Sequence, residues 1–473
     1  MTDDTRFYVD GAWLDRPDAP RIPVHNPATE EVIGHVAAGT PADVDLAVAA
    51  ARRAFDGFSQ TSAADRLALL IRIKELLEAR AEEFAQSIVA EMGAAISFAR
   101  AGQCHFGIEH VRAAIDALRD FEFETKLHDI TVRKEPVGVC ALITPWNWPL
   151  YQVTAKVAPA IAAGCTMVLK PSELSPFAAL LFAQVMHDAG TPPGVFNLVN
   201  GSGDVVGAAM SAHPDIDMVS FTGSTRAGVL VAQAAAPTIK RVVQELGGKS
   251  PNVFLPDADF PTAVPKAVLG GMRNVGQSCA APTRILVPAS RLAEVEAIAA
   301  DAANAIVVGD PLDERTVLGP LANAPQFAKV QALIQSGIDQ SAKLICGGPG
   351  LPPGLTRGYF ARPTIFSDVT TDMRIAQEEI FGPVLVIMPY EDEADAIRIA
   401  NSTAYGLSSH VQSADIESAR RVARRIRAGQ VHINFPAWSA YAPFGGYRQS
   451  GNGREYGVYG LEEYLEVKGL LGY

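Results

Sequence analysis

A chain of 473 residues is too long for one ordinary hydrophobic core and predicts two or three packed units. Its 48% hydrophobic and 19% charged residues are typical of a globular enzyme and argue against a disordered chain. A formal net charge of −12 argues against a nucleic-acid partner, because neutralising phosphates requires a basic surface.

Three features of the sequence predict where in the cell the protein is located. Residues 1–6 are polar and acidic, and they contain no apolar run that is typical of a secretory signal. The longest apolar region, residues 153–169, is interrupted by Lys156, so we expect no membrane span. The 5 cysteines are odd in number and irregularly spaced, which fits neither a disulfide framework nor a metal-binding knuckle. We therefore expect a cytoplasmic protein with no membrane association and no metal.

The N-terminal part of the chain is predicted to be helical. The segment Thr40-Pro41-Ala42-Asp43 is typical of a helix start, since it combines a hydroxyl cap, a proline in the first turn and an early acid. A second, longer helix is indicated by apolar residues that recur at helical spacing. These residues are Leu69, Leu70, Ile73, Leu76 and Leu77.

From residue 137 onward, short apolar runs alternate with Ala-rich helical stretches. This alternation predicts a parallel sheet with helices on its faces, and ligands of such sheets bind at the carboxyl ends of the strands. The predicted strands are 137–143, 166–169, 195–199, 218–221 and 241–245. A second α/β block begins near Asn252, with strands at 284–287, 384–388 and 431–434. The tail, residues 462–468, is predicted to be an edge strand that pairs with another subunit.

Three segments at or near predicted strand ends contain candidate catalytic residues. Cys279 lies between small residues just before a strand, which suits a reactive thiol on a tight loop. Glu245 ends a strand and is followed by two glycines, where backbone can approach a ligand. Asn147 lies in the rigid turn Pro145–Pro149 and could aim its amide at an oxyanion. Each has an ordinary alternative, namely a buried structural cysteine, a surface glutamate and a turn asparagine.

Two glycine patterns are candidates for phosphate binding. The segment Gly201–Gly207 misses the usual dinucleotide spacing by one residue. In Phe221–Gly228, glycine and hydroxyl residues lie between a strand and a helix, where backbone amides could face a pyrophosphate. Ordinary loops between a strand and a helix explain both patterns equally well.

Taken together, these segments resemble the aldehyde dehydrogenase superfamily, in its NAD(P)-dependent, non-acylating, bacterial type, from about Tyr8 to the C-terminus. The resemblance includes the order and spacing of seven motifs. They are PWNWP at 145–149, KPSE at 170–173, FTGST at 221–225, ELGGKSP at 245–251, GQSCAAPTR at 276–284, EEIFGPV at 378–384 and PFGGYRQSGNGRE at 443–455.

The resemblance implies a catalytic role for five residues. Cys279 would be the nucleophile that forms a thiohemiacetal and then a thioester, and Asn147 would donate a hydrogen bond to the oxyanion. Glu245 would be the general base for thioester hydrolysis. Lys156 and Glu455 would form a pair that assists proton movement, and a purely structural ion pair is an equal interpretation.

The resemblance also implies the cofactor site. Lys170 and Glu173 would contact the adenosine ribose, and the carboxylate favours NAD, with NADP as the alternative. Gly223 and Ser224 match the pyrophosphate loop, and Glu379 and Phe381 match residues beside the nicotinamide ribose and ring. The remaining predicted contacts are Ile143, Thr144, Pro145, Trp146, Ser172, Gly203, Gly207, Phe221, Thr222, Leu246 and Gly247.

The implied substrate channel is rich in aromatic residues. By position it is lined by Trp148, Tyr151, Gln152, Trp438 and Phe444. Because burial of each methylene group contributes about 0.8 kcal/mol, these rings favour an apolar aldehyde. We expect medium-chain aliphatic, terpenoid or aromatic aldehydes to be better substrates than short semialdehydes. Some of these rings could instead belong to the core.

The implied fold is α/β, with a Rossmann-type NAD-binding domain, an α/β catalytic domain and a small oligomerisation element. We predict residues 1–117 and 137–246 for the first, 247–443 for the second, and 118–136 with 459–473 for the third. A homodimer or homotetramer is expected. Alternatives are a semialdehyde dehydrogenase, a cysteine hydrolase or esterase without redox chemistry, a CoA-acylating dehydrogenase and a non-catalytic descendant.

Overall fold

The N-terminal segment is built of strands, which the sequence interpretation missed. The structure is a computed structural model that describes the backbone of residues 2–473 and the side chains from residue 3 onward. Its first strands are β1 (Thr2–Asp4), β2 (Arg6–Val9), β3 (Ala12–Asp15), β4 (Arg21–His25) and β5 (Val32–Ala37). Strands β2 and β3 form a hairpin around Asp10 and Gly11, whose φ angles of 53° and 78° are typical of a tight hairpin turn.

Helices follow, and the predicted helix start is confirmed. They are α1 (Pro41–Phe58), α2 (Ala63–Ala79), α3 (Ala81–Met92), α4 (Ile96–Phe98), a π-helix (Ala99–Cys104) and α5 (His105–Arg119). At the start of α1, the Thr40 hydroxyl accepts from the Asp43 backbone N–H, while the Asp43 carboxylate accepts from the Thr40 backbone N–H. The predicted second helix is α2, and Leu69, Leu70, Ile73 and Leu77 are buried in it.

The middle of the chain alternates strands and helices as predicted. The elements are β6 (Glu124–Leu127), β7 (Ile130–Pro136), β8 (Val139–Ile143), α6 (Pro149–Ala163), β9 (Thr166–Lys170), α7 (Phe177–Asp188), β10 (Phe196–Leu198), a π-helix (Gly203–Gly207), α8 (Ala208–Ala212), β11 (Met218–Thr222), α9 (Thr225–Ala235) and β12 (Arg241–Glu245). All residues of α6 are buried, so this helix crosses the interior of the molecule.

The second α/β block and the tail complete the chain. Their elements are β13 (Pro251–Phe254), α10 (Phe260–Met272), β14 (Arg284–Pro288), α11 (Leu292–Asn304), α12 (Ala324–Asp339), β15 (Lys343–Cys346), β16 (Thr364–Ser367), α13 (Arg374–Gln377), β17 (Val384–Tyr390), α14 (Glu393–Ala400), β18 (Ser408–Gln412), α15 (Ile416–Ala423), β19 (Gln430–Ile433), β20 (Gly451–Asn452), α16 (Gly457–Glu463) and β21 (Leu465–Leu471). The tail strand was predicted at 462–468, but it begins later because α16 continues to Glu463.

The strands of residues 2–473 form four sheets. An 8-stranded sheet has the order β20-β12-β11-β8-β9-β10-β2-β3, and the five strands from β12 to β10 in that order are mutually parallel. A 7-stranded sheet has the order β15-β16-β17-β14-β13-β18-β19, and two 3-stranded sheets have the orders β1-β5-β4 and β21-β7-β6. The mixed α/β class is therefore confirmed.

The tail strand packs on its own chain. Strand β21 pairs antiparallel with β7, at one edge of the sheet β21-β7-β6. Arg241, at the start of β12, donates to the carbonyls of Glu463 and Leu465 at 2.6 and 2.8 Å and forms an ion pair with Glu466. The strands of this sheet lie in residues 118–136 and 459–473, which were predicted to form an oligomerisation element. The role and the boundaries of that element remain predictions.

No helix within residues 2–473 is both long enough and apolar enough to cross a membrane.

Candidate active site

A cavity opens where three neighbouring parallel strands end. The strands β8, β11 and β12 end at Ile143, Thr222 and Glu245, and the segments that follow them line a cavity of about 180 Å³. The lining residues are Pro145, Trp146, Asn147, Thr222, Gly223, Ser224, Leu246, Gly247, Cys279, Gln326, Lys329, Glu379 and Phe381. Of these, Gln326 and Lys329 on α12 were not predicted, since neither lies in a recognisable motif.

Cys279 lies in a loop whose backbone is constrained. Before it, Asn274, Val275 and Gly276 have φ angles of 56°, 58° and 69°. A β-branched residue such as Val275 rarely adopts this left-handed conformation, so the surrounding structure must hold it. A side chain at Gly276 would collide with the carbonyl oxygen of Gly382. The turn that precedes the candidate nucleophile is therefore fixed by its packing.

A buried network of amides holds Asn147. The Asn147 side-chain Nδ2 donates to the carbonyl of Gln277 at 3.0 Å. The Asn147 backbone carbonyl accepts from Gln103 Nε2 at 3.0 Å and from Asn274 Nδ2 at 2.9 Å. Gln103 also donates to the Asn274 side chain at 3.1 Å, and Ala322 donates its backbone N–H to the Gln277 side chain. These contacts tie Asn147 to the loop of Cys279, and one N–H of the Asn147 amide is not used by the bond to Gln277.

Two glycines allow the strand end to approach the Cys279 loop. A Cβ at Gly247 would lie 2.6 Å from Glu379 Oε2, and a Cβ at Gly248 would collide with the carbonyl oxygen of Cys279. The backbone N–H of Gly248 donates to Glu379 Oε1 at 2.9 Å. The two glycines after Glu245 therefore bring together β12, Glu379 and Cys279, which only residues without side chains permit.

Glu245 is a buried carboxylic acid whose pKa is raised. Its side chain is 1% exposed, and neither carboxylate oxygen has a hydrogen-bond partner among residues 2–473. Burial and the nearby charge of Glu455 raise the pKa of Glu245 well above its usual value, while Lys156 and Arg454 oppose this shift. Burial and the charge of Glu245 also raise the pKa of Cys279. Both groups therefore resist carrying a charge in the protein alone.

Lys156 and Glu455 form a buried ion pair. Lys156 Nζ donates to Glu455 Oε1 at 2.6 Å and to Ser220 Oγ at 3.0 Å. The two side chains are 0% and 5% exposed. The pair connects α6 with the segment before α16, and its two charges act on Glu245 in opposite directions.

The predicted adenosine-side residues lie at the same edge of the sheet. Lys170 ends β9, next to β8, and its Nζ lies 3.1 Å from Glu173 Oε2. Burial lowers the pKa of Lys170. The backbone N–H of Thr144 donates to the Lys170 carbonyl at 3.1 Å, and a Cβ on Gly207 would lie 3.8 Å from the Lys170 side chain. Lys170 therefore contacts segments at this sheet edge that are distant in sequence.

Some predicted cofactor residues do not line the cavity itself. Ile143 and Phe221 are buried within β8 and β11, and Ser172 accepts the backbone N–H of Leu174 in a turn. Gly203 is exposed at the start of a π-helix. Their assignment to cofactor contact stays a prediction.

The start of α9 at this cavity suits a pyrophosphate group. Ser224 caps α9, a helix of 11 residues, by accepting the backbone N–H of Ala227 at 3.2 Å. The free N–H groups and the positive end of the dipole at such a helix start favour an anionic pyrophosphate. The close approach of Gly247 to Glu379 leaves backbone, rather than a side chain, facing the cavity. Within residues 2–473, no group of three or more His, Cys, Asp or Glu side chains is arranged to hold a metal.

Cys279 also packs against an aromatic cluster. This cluster contains Phe106, Trp148, Tyr151, Trp438, Phe444 and Tyr456, together with Ala155, Leu407 and Ala280. Four of the five predicted channel residues are therefore brought together beside Cys279. The fifth, Gln152, is buried on α6, and its Oε1 lacks a hydrogen-bond partner in the described part of the chain.

Sequence interpretation missed several residues around these two regions. Phe106 and His110 lie four residues apart on α5 and therefore face the same side of that helix. Tyr456 directly follows Glu455, so the last motif could have indicated it. Gln103 and Asn274 left no signal, because one lies in a π-helix and the other in a left-handed turn.

Comparisons with known proteins identify the family of this chain. The aldehyde dehydrogenase family model matches residues 13–470, and the chain belongs to that family. It is 56% identical to 3-succinoylsemialdehyde-pyridine dehydrogenase of a Pseudomonas species, over 100% of this chain and 99% of that protein.

Solved structures of aldehyde dehydrogenases are also similar to this chain. A cysteine-to-alanine mutant of aldehyde dehydrogenase C from Pseudomonas syringae, in complex with NAD+ and octanal, has a TM-score of 0.98 and 64% identity, covering 99% of this chain and 96% of that one. A Mycobacterium tuberculosis aldehyde dehydrogenase in complex with NAD+ has a TM-score of 0.97 and 39% identity, covering 100% and 99%. The predicted family, fold, enzyme class and NAD cofactor are confirmed.

Proposed function

We propose that this enzyme oxidises aldehydes with apolar chains or rings to carboxylic acids through a covalent adduct on Cys279. The observation that carries the proposal is the position of Cys279 between two regions. It lines the cavity at the strand ends, and it packs against the aromatic cluster. A thiol in this position can meet an aldehyde from one side while a cofactor lies on the other.

The first step is addition of the Cys279 thiolate to the aldehyde carbon. Burial and the charge of Glu245 raise the pKa of Cys279, so the thiol must first give up its proton to water to become the attacking thiolate. Addition forms a C–S bond and leaves the former carbonyl oxygen as an oxyanion. The second N–H of the Asn147 amide stabilises that oxyanion, since the amide network fixes the side chain before substrate binds.

When bound, NAD would accept the hydride that leaves the thiohemiacetal. Loss of this hydride converts the adduct to a thioester. The residues that would hold NAD are Ser224 and the start of α9 at the pyrophosphate, Glu379 and Phe381 at the nicotinamide end, and Lys170 with Glu173 at the adenosine ribose. The carboxylate of Glu173 disfavours a 2′-phosphate. We therefore expect NAD to be preferred to NADP, and Glu173→Gln to narrow the difference in kcat/KM.

Hydrolysis of the thioester completes the cycle. Glu245 takes a proton from water, the oxygen of that water adds to the thioester carbonyl, and the C–S bond breaks. The products are the carboxylic acid and the Cys279 thiolate. A raised pKa makes the Glu245 carboxylate a stronger base, which favours removal of a proton from water. Water as the acceptor distinguishes this route from transfer to CoA, and an assay with and without CoA tests the difference.

Aldehydes with apolar bodies fit the aromatic cluster. Burial of each methylene against these rings contributes about 0.8 kcal/mol, so longer chains and aromatic rings gain affinity over short ones. The octanal complex of the Pseudomonas syringae enzyme supports this substrate class. A semialdehyde is the second candidate, because the relative with 56% identity is named for a semialdehyde that also carries a pyridine ring.

The experiment is an NADH absorbance assay with an aldehyde panel, comparing wild type with Cys279→Ala. We expect octanal and benzaldehyde to give higher kcat/KM than succinic semialdehyde, and the variant to be inactive. Higher kcat/KM for succinic semialdehyde would overturn the substrate class. Activity retained in the Cys279→Ala variant would overturn the covalent mechanism. NAD-independent hydrolysis alone would favour a hydrolase.

We also propose that the enzyme is a homodimer or homotetramer whose subunits meet at the tail strand. Strand β21 lies at a sheet edge, and Val467 and Leu471 expose 69% and 81% of their surface. Light scattering on the purified protein gives the mass of the particle. The mass of a single chain at micromolar concentration would contradict this assembly.

A further inference from the structure

A histidine lies inside the aromatic cluster without a hydrogen-bond partner on one nitrogen. His110 is 3% exposed, and its Nε2 has no partner among the residues that the structure describes. Its ring centroid lies 4.3 Å from that of Tyr151, 4.2 Å from that of Tyr456 and 5.4 Å from that of Trp438. An apolar residue would pack as well here, and a buried nitrogen without a partner is costly. His110 Nε2 is therefore a candidate for a hydrogen bond with a bound ligand.

The neighbouring polar groups do not supply that partner. The hydroxyl groups of Tyr151 and Tyr456 form a hydrogen bond with each other. Trp438 lies edge-on to the His110 ring, at an interplanar angle of 89°, and its own ring stacks on Phe106 at 4.3 Å. The Tyr151 and Tyr456 hydroxyls are therefore hydrogen-bonded to each other, and His110 Nε2 has no partner in the described residues.

The His110 ring is neutral. Burial lowers the pKa of His110 to about 3, so the ring carries no charge at the pH of the cytoplasm. A neutral imidazole nitrogen accepts or donates a single hydrogen bond, depending on the tautomer. It suits an uncharged polar group, and it offers no charge to a carboxylate.

The same cluster contacts the nucleophile. Tyr151, Phe444, Tyr456 and Cys279 belong to one packed group, so under the proposed function an aldehyde bound at Cys279 would lie against these rings. His110 Nε2 is a hydrogen-bonding atom without a partner in the described residues, and it lies beside the rings of Tyr151 and Tyr456 in this group.

We propose that His110 is a specificity-determining residue whose Nε2 binds an uncharged hydrogen-bonding group, such as a keto oxygen or a ring nitrogen, on the body of the aldehyde. The inference rests on the proposed oxidation at Cys279. The enzyme would then accept plain alkyl and aryl aldehydes, and it would prefer keto- or heteroaryl-substituted ones of matching size.

The test uses His110→Phe, which keeps an aromatic ring in the cluster and removes the nitrogen. Two matched substrate pairs are compared, octanal with 4-oxooctanal and 3-phenylpropanal with 3-(pyridin-3-yl)propanal. Wild type should favour the polar member of at least one pair, and His110→Phe should reduce that preference by about 5- to 50-fold, mainly through KM. The fall in kcat/KM should be smaller for octanal and 3-phenylpropanal, which lack the polar group, than for the polar member of each pair. His110→Gln, which restores a side-chain hydrogen-bonding group, should recover part of the preference.

The outcomes separate this inference from the proposed function. Loss of the wild-type reaction with every aldehyde would overturn the oxidation itself. Equal kcat/KM for polar and apolar members in wild type would overturn the role of His110 alone. An equal fall for both members in His110→Phe and His110→Gln, with unchanged thermal unfolding, would assign His110 to packing. If His110→Phe does not fold, His110→Leu, which also lacks a hydrogen-bonding group, is compared with wild type by the same ratio.

Discussion

Lys156 Nζ lies 2.6 Å from Glu455 Oε1, and the two side chains are almost completely excluded from solvent. A buried pair of this kind is stable only as a pair, because either charge alone lacks a counter-charge in a medium of low polarity. The sequence left open whether the pair is structural or catalytic. Its two charges shift the pKa of Glu245 in opposite directions, so we expect the pair to influence both stability and the protonation of Glu245.

Replacing Lys156 by Met is expected to lower the free energy of unfolding by about 3–5 kcal/mol, since it leaves the Glu455 carboxylate buried and unpaired. Urea unfolding measures this. The double variant Lys156→Met/Glu455→Met should recover much of the loss. The matched control is Lys74→Met, which breaks a pair with Glu78 that is 21% and 41% exposed, and should cost less than about 1 kcal/mol. Equal losses at the two sites would contradict the prediction.

The same pair is expected to set the pH dependence of turnover. Lys156 lowers the pKa of Glu245 and Glu455 raises it. Glu245 acts as a base when deprotonated, so Lys156→Met should move the acid limb of the kcat profile to higher pH. Glu455→Gln should move it to lower pH. Shifts in one common direction would show that the limb belongs to another group.

Glu245→Gln is expected to separate the two halves of the reaction. Without a base for water, the thioester forms and persists, so a rapid release of about one NADH per active site precedes slow turnover. The steady-state kcat should fall by about 10²- to 10⁴-fold. Stopped-flow absorbance measures the burst, and mass spectrometry should detect the acyl group on Cys279. A variant without any burst would assign Glu245 to the first step instead.

Asn274→Leu is expected to reduce kcat without touching the substrate. It removes the donors to the Asn147 and Gln277 carbonyls and so frees the oxyanion donor to rotate. We expect a fall in kcat of about 10- to 100-fold, with KM for NAD unchanged. In the double variant with Asn147→Ala, the two effects should not multiply. Fully multiplicative losses would show that Asn274 acts through something other than Asn147.

Gly248→Ala is expected to abolish activity, because the added methyl group would collide with the Cys279 carbonyl oxygen and displace the nucleophile. Gly270→Ala is the control, since a Cβ there meets no atom within 4 Å, and a helical alanine is favoured over glycine by about 1 kcal/mol. The control should be fully active and at least as stable as wild type. Thiol alkylation kinetics report the displacement of Cys279 directly.

Glu91 is expected to make stability depend on pH. Its buried carboxyl accepts the backbone N–H groups of Phe177 and Ala178 at the start of α7, and burial raises its pKa from 4.5 to about 8. A raised pKa in the folded state means that stability is fully present below about pH 4.5 and is lost as pH rises to about 8, by at most about 1.4 kcal/mol per unit.

Glu91→Gln removes this titration. The variant loses one acceptor and should be less stable than wild type near pH 5, and the difference between them should shrink as pH rises toward about 8. Thermal unfolding at several pH values measures it. Parallel curves for the two proteins would show that Glu91 keeps the same proton affinity in the folded and unfolded states.

The parts of the site that follow strand ends could be predicted from the sequence. Glu245, Thr222 and Asn147 follow or end apolar runs, and parallel strands bring such positions to one edge. The helix start at Thr40 was also readable, because a capping box is a local signal. The N-terminal hairpin was missed although Asp10-Gly11 is a hairpin signal, because its strands are too short to show alternation.

The remaining parts depend on contacts that leave no pattern along the chain. Gln103 supports Asn147 from a π-helix, and Asn274 supports it from a left-handed turn, so neither periodicity nor a motif marks them. The placement of His110 beside Tyr456 is a tertiary contact between α5 and the segment before α16. Sequence alone predicts such a contact only when a motif on one side already names the site.

Cys279 is the one residue, within positions 2–473, that belongs both to the cavity at the strand ends and to the aromatic cluster. Evolution can therefore alter the two sides separately. Under the proposed function, exchanging rings on α5, α6 and the segment before α16 would give descendants that act on new aldehydes, while the residues proposed to hold the cofactor are inherited unchanged.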